Sequence, residues 1–300
     1  MNLFDKRPTT ILASFLVLLL LSGCAKPLAI EIEQTPAQIA ISSSVIDAHT
    51  LFVTATYSIN SLTNLNDGGT AQTPLNLVSN ALVTDATIWT SSDTGIDTLR
   101  PFYDGLYGSY TLNLIPYKHY DLTVRDNSTG TTVMSATTYL PKIAVDTLRP
   151  SVMLTNADTI VHLHLAMDDD PARTDYYVLS YSHISPTSIP SALGGVNFSA
   201  ILASPAKNLE LFTDADAINN RIKLDFTLNA NPSDTLYVHT GRIEKGYFEY
   251  LTAYKRTGSV ITQLTNEPIT LPTNILTGLG YFSLYEGSRS VFFLKEYIGR

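Results

Sequence analysis

The chain has 300 residues, of which 44% are hydrophobic and 15% charged, with a net charge of −8. That is enough material for two folded cores of ordinary size, and too acidic and evenly spread to grip nucleic acid, whose phosphates demand clustered Lys and Arg. A single cysteine rules out an intramolecular disulfide, so apolar burial must hold the fold together.

The first 23 residues have the layout of a secretory signal: basic Lys6 and Arg7, an aliphatic run from Ile11 to Leu21, then small Ser22 and Gly23. The apolar run is about half of the ~20 residues a spanning helix needs, which disfavours a retained membrane anchor. Cys24 follows directly. Leu21-Ser22-Gly23-Cys24 resembles the lipobox of bacterial lipoproteins, in which cleavage before the cysteine leaves it acylated. Cleavage there removes Asp5, Lys6 and Arg7, so −8 loses one acid and two bases and becomes −9. Lipid chains at about 0.8 kcal/mol per buried methylene would then hold the protein to a membrane. Residues 24–37 read as a tether.

From 38 to 149 the pattern is short strands and turns, which predicts a β-sandwich of the Ig-like or transthyretin-like kind. Ile39-Ala40-Ile41 and Leu51 to Tyr57 are β-branched and aromatic runs. Leu62 to Asn80 carries Asn-Asp-Gly-Gly and a proline, hence a long loop. Further strands are expected around Val83 to Trp89, Gly105 to Leu112, Tyr120 to Val124 and Thr131 to Leu140. The pentapeptide Asp97-Thr98-Leu99-Arg100-Pro101 recurs as Asp146 to Pro150, but the flanks differ, so it reads as reuse of a strand entry rather than a repeat.

A second β-rich domain is expected over 150–300. Ile160 to Met167 and Tyr176 to Tyr181, joined by an Asp-rich turn, read as a hairpin. Residues 185–208 are rich in Ser, Pro and Gly and read as an insertion. Strands are predicted at Arg221 to Leu228 and Thr235 to His239. One helix is predicted near 243–255, where Tyr247, Tyr250, Leu251 and Tyr254 recur at i, i+3, i+4 and i+7. Two closing strands are expected at Leu279 to Tyr285 and Ser290 to Ile298.

Several stretches together resemble a known family. Val83-Thr84-Asp85-Ala86-Thr87-Ile88, Asp169-Asp170-Pro171 before Asp175-Tyr176-Tyr177, Leu211-Phe212-Thr213-Asp214, and above all Leu271-Pro272-Thr273-Asn274-Ile275 through Gly278-Leu279-Gly280-Tyr281-Phe282 are similar to domain of unknown function 4249, a lipoprotein family of Gram-negative, Bacteroidetes-type bacteria. Two departures stand out: Pro116-Tyr117-Lys118-His119 replaces the usual glycine turn, and Ser283 stands where glycine is common. The resemblance implies an outer-membrane lipoprotein associated with TonB-dependent transporters. It implies no activity and no catalytic residues.

The candidate chemistry is sparse. His162 and His164 share one strand face and, with Asp168 and Asp170, form a weak metal candidate. The alternative is a half-exposed strand whose buried face is Val161, Leu163 and Leu165. Asp168 to Asp170 with Asp175 has oxygen donors for calcium but lacks the spacing of a calcium loop. No nucleophile elbow, phosphate loop or zinc-protease motif appears, so neither enzyme activity nor a cofactor is expected. Thr98, Thr147, Thr159 and Thr235 each follow Asp and precede Leu or Ile, similar to an O-glycosylation sequon of such bacteria; the alternative is that Asp ends a turn and Thr starts a strand. Tyr247, Tyr250 and Tyr254 suit either a sugar-stacking platform or a core stripe. The expected function is that of a non-catalytic, lipid-anchored binding or accessory module, with a structural or adhesive surface protein as the alternative and a hydrolase behind both.

Overall fold

The computed structural model describes residues 36–58, 81–154, 159–184, 208–257 and 270–299. The signal, Cys24, most of the tether, the 62–80 loop and all but the last residue of the 185–208 insertion lie outside them.

Alternation of apolar and small polar residues makes the first half a sheet. In β1 (Ile39–Asp47) and β2 (Thr50–Tyr57), Ile39, Ile41, Val45, Leu51, Val53 and Ala55 point inward and are buried. β3 (Ala86–Ser92), β4 (Gly95–Tyr103), β5 (Leu106–Ser109), β6 (His119–Asp126) and β7 (Thr132–Thr138) complete the set. The strand order is β15-β1-β2-β5-β4-β3-β6-β7, with every pairing antiparallel except that of β15 (Leu279–Tyr281) with β1.

β15 comes from the far end of the chain, and the segment leading into it closes the sheet on itself. Leu276 bridges Met134 of β7, while Ala40, Ile41 and Ser42 of β1 pair with Leu279, Gly280 and Tyr281. Ile275, Phe282 and Leu284 are buried in the first core with Ile39, Val53 and Val124. Asn274 holds the segment in place: its Nδ2 donates to the Phe282 carbonyl at 2.8 Å, and its Oδ1 accepts the Phe282 N–H at 2.9 Å. The two glycines are required by close approach. A Cβ on Gly278 would lie 2.7 Å from the Ile39 carbonyl oxygen, and one on Gly280 2.1 Å from that of Ile41. The division expected at residue 150 is therefore crossed by residues 275–284, and from Ala37 onward the chain forms one compact unit.

The second half is a sandwich of two four-stranded sheets. One runs β11 (Leu209–Thr213), β10 (Tyr176–Ile184), β14 (Thr235–Ile243), β16 (Ser288–Phe293); the other runs β12 (Ala217–Ile218), β13 (Arg221–Asn229), β9 (Thr159–Asp168), β8 (Thr147–Leu154). β9 and β10 therefore do not form the expected hairpin. β9 presents Val161, Leu163, Leu165 and Met167, and β10 presents Tyr177 and Leu179, to the same core, so the two strands face each other from opposite sheets. Burying both apolar faces at once requires the intervening turn to cross between layers.

Helix α1 spans Lys245–Thr257, two residues later than expected at each end, because Ile243 is still paired with Tyr176 in the sheet. The last strands are also shorter than expected: 282–287 leaves the sheet, and Leu294–Tyr297 is a 3-10 turn rather than strand. Both copies of the recurring pentapeptide enter strands, β4 and β8. The chain is thus mainly β, with one eight-stranded sheet closed on itself, a sandwich of two four-stranded sheets and, among the described residues, one α-helix.

Candidate functional site

The sequence candidates scatter. His162 and His164 do share the outer face of β9, with rings 6.5 Å apart. There His164 Nδ1 pairs with Asp225, and His162 with the Thr227 hydroxyl at 3.4 Å. Asp168 pairs with Arg221 at 2.7 Å, and Asp170 with Arg173 at 3.1 Å. The acidic turn is countered by Arg173 from within it and by Arg221 from β13. Among the described residues no three His, Cys, Asp or Glu side chains converge as metal ligands. Of the threonines, Thr98 and Thr147 are exposed on strands, whereas Thr159 and Thr235 are half-buried at strand starts. Asp234, ahead of Thr235, is buried; its carboxylate caps the turn by accepting the Asn231 N–H at 3.0 Å and pairs with His183 at 2.9 Å.

The tyrosine stripe of α1 is real and faces inward in part. Tyr247 and Tyr250 stack at 5.9 Å, Tyr250 and Tyr254 at 6.4 Å, and Tyr281 and Tyr285 close over Tyr247 at 5.1 and 5.9 Å. Burial raises the phenols of Tyr247, Tyr250, Tyr281 and Tyr285 above their ordinary value, so they stay neutral. Beneath this cluster His239 meets Tyr285 at 5.8 Å, and its Nε2 is buried without a hydrogen-bond partner among the described residues. Burial lowers that imidazole to about 4, with Arg289 adding to the effect.

A different cluster concentrates charge: Tyr117, Arg173, Asp175 and Arg242. Arg242 on β14 is 7% exposed, a position an arginine occupies only when paired. One guanidinium N–H goes to Asp175 at 3.2 Å and another to the Tyr117 hydroxyl at 2.7 Å, while its Nε is buried without a partner among the described residues. Arg173 donates to the same Tyr117 oxygen at 3.3 Å and pairs with Asp170 and Asp175. Both guanidinium carbons lie over the Tyr117 ring, at 5.7 Å for Arg173 and 5.4 Å for Arg242, within cation–π reach.

Tyr117 sits at φ 63°, a left-handed conformation that favours glycine. It occupies the turn just ahead of β6. The strain of about 1–2 kcal/mol is offset by two charge-assisted hydrogen bonds and two cation–π contacts. Hydrogen bonds from Arg173, opposed by burial and reinforced by Arg242, lower the Tyr117 phenol below its ordinary value. Nearby Asp169 moves the other way: burial, then the charges of Asp214, Asp175 and Asp170, raise it. Sequence reasoning met Tyr117 only as part of an unusual turn and did not single out Arg173 or Arg242. The legible signal was Arg173 between Asp170 and Asp175, a cation inside the turn read for calcium.

A family model described as "Domain of unknown function (DUF4249)" matches residues 25–290. The chain belongs to the DUF4249 family. No match is found among curated proteins. Among solved structures, this DUF4249 chain is similar to a two-domain fibronectin type-III segment of chicken tenascin, at 9% identity over 86% of this chain and 99% of that one, with a TM-score of 0.22. It is also similar to a candidate carbohydrate-binding protein of Bacteroides uniformis, at 12% identity over 53% of this chain and 79% of that one, with a TM-score of 0.21. At such scores neither likeness bears on the function of this DUF4249 chain.

Proposed function

We propose that this DUF4249 chain is a lipid-anchored lipoprotein of the outer membrane that acts as a non-catalytic binding or accessory module, working beside a TonB-dependent transporter. The observation that carries the reading is Leu21-Ser22-Gly23-Cys24 at the end of an apolar run, with the only cysteine of the chain at its close. The family match beginning at residue 25, immediately after Cys24, supports the same boundary. Among the described residues no helix is long and apolar enough to cross a membrane. The folded part suits a rigid support for loops. Buried apolar side chains form its cores, the segment 275–284 ties the first sheet shut, and Asp168, Asp170 and Asp175 of the acidic turn are paired with arginines. Binding residues on such scaffolds tend to sit in the connecting loops.

Metabolic labelling with a palmitate analogue tests the anchor. The native chain incorporates label, and Cys24→Ala loses it and accumulates as precursor. Sustained labelling of Cys24→Ala overturns the lipoprotein reading. Affinity purification of the full chain from crosslinked cells tests the partner, and the absence of any transporter from the crosslinked material overturns that part alone.

A further inference from the structure

We infer that Tyr117 is a nucleophilic tyrosine, a site at which this chain accepts a sulfonyl- or phosphoryl-type group from an activated tetrahedral donor. Three features of the cluster lead there, independent of the anchoring and partner assignment.

The first is hydrogen-bond direction. Among the described residues the Tyr117 oxygen accepts N–H bonds from both Arg173 and Arg242 and donates none, so its surroundings favour the phenolate over the phenol. The second is rigidity. Arg242 is buried and tied to Asp175, so one guanidinium cannot swing away from the oxygen. The left-handed backbone of Tyr117 turns its ring beneath both guanidinium groups. The third is access: Tyr117 is 53% exposed, whereas Tyr107, Tyr139 and Tyr177 are buried and burial raises their phenols. Hydrogen bonds from the two arginines, that of Arg173 foremost, lower the Tyr117 phenol. The charges facing it are Arg173, Asp170 and Asp175 from the turn before β10 and Arg242 from β14.

The reaction is simple to balance. The Tyr117 O–H proton passes to solvent, the phenolate oxygen forms a bond to sulfur or phosphorus, and the donor's leaving group departs with its bonding electrons. With an aryl sulfonyl fluoride the new bond is O–S, the broken bond is S–F, and fluoride leaves. The two guanidinium groups then face the oxygens of the attached group, which suits oxyanionic cargo.

The test treats the full chain with an aryl sulfonyl fluoride near neutral pH and follows each tyrosine by peptide mass spectrometry. Tyr110 is the internal control, because at 55% exposure it is as accessible as Tyr117 but has no cation–π partner among the described residues. Tyr117 is expected to label several-fold faster than Tyr110. Arg173→Gln is expected to bring the two rates together, with Arg173→Lys intermediate, and unfolding in urea is expected to equalise them. Equal rates in the native chain, or an unchanged Tyr117 rate in a folded Arg173→Gln, would overturn the inference.

Discussion

Gly280→Ala puts the closure of the first sheet to a quantitative test. Gly280 has φ 86°, and a Cβ there would sit 2.1 Å from the Ile41 oxygen and 3.0 Å from the Ile41 backbone carbon and nitrogen. Backbone atoms of a central strand cannot rotate aside as a side chain would, so β15 must move off β1. The conformational part of the penalty is about 1 kcal/mol. Forcing an extra carbon into a packed contact adds roughly 1–3 kcal/mol, and each backbone hydrogen bond lost along Ala40 to Ser42 adds about 1 kcal/mol. The total is about 3–5 kcal/mol, a large part of the ~5–15 kcal/mol that stabilises an ordinary domain. Gly130→Ala is the control. Gly130 has φ 74° but nothing within 4 Å of its Cβ position, so it isolates the conformational part at about 1 kcal/mol. Urea unfolding followed by Trp89, the only tryptophan and a member of the same sheet, reads both variants. Equal midpoints for the two variants would refute a tight β1–β15 contact.

Two further outcomes follow from buried polar groups. Asn274→Ala leaves both backbone polar groups of Phe282 unpaired at a fully buried residue, so it is expected to lower stability by roughly 2–4 kcal/mol in the same unfolding assay; a loss under 1 kcal/mol would show that water replaces the side chain. His239 is held at about 4 against 6.5 when free, so between those values the unfolded chain binds a proton that the folded chain refuses. Stability from this group is fully present above about pH 6.5 and falls as pH drops toward 4, by on the order of 3 kcal/mol; His239→Phe should flatten that part of the stability-against-pH curve, and a curve identical to that of the native chain contradicts the assignment.

Local pattern sufficed for much of this protein. The alternation of β9, with Val161, Leu163, Leu165 and Met167 against His162 and His164, specifies a strand and its two faces, because side chains on a strand alternate whatever the strand pairs with. The tyrosine stripe specifies a helix in the same way, since a 3.6-residue period needs no knowledge of neighbours. Leu271 to Phe282 was legible as special, down to its two glycines. What it does was decided by tertiary structure: those glycines are needed because a strand from the end of the chain lies parallel against β1 from its beginning, a contact between residues more than two hundred positions apart. The hairpin expected of β9 and β10 failed for the same kind of reason. Alternation says that each strand has one apolar face, but only the packing of two sheets says whether those faces lie side by side or opposite. The cluster around Tyr117 depends wholly on the fold. Tyr117, Arg173 and Arg242 come from three separate segments, and a phenol acquires its chemistry from the cations placed against it, which composition and spacing do not reveal.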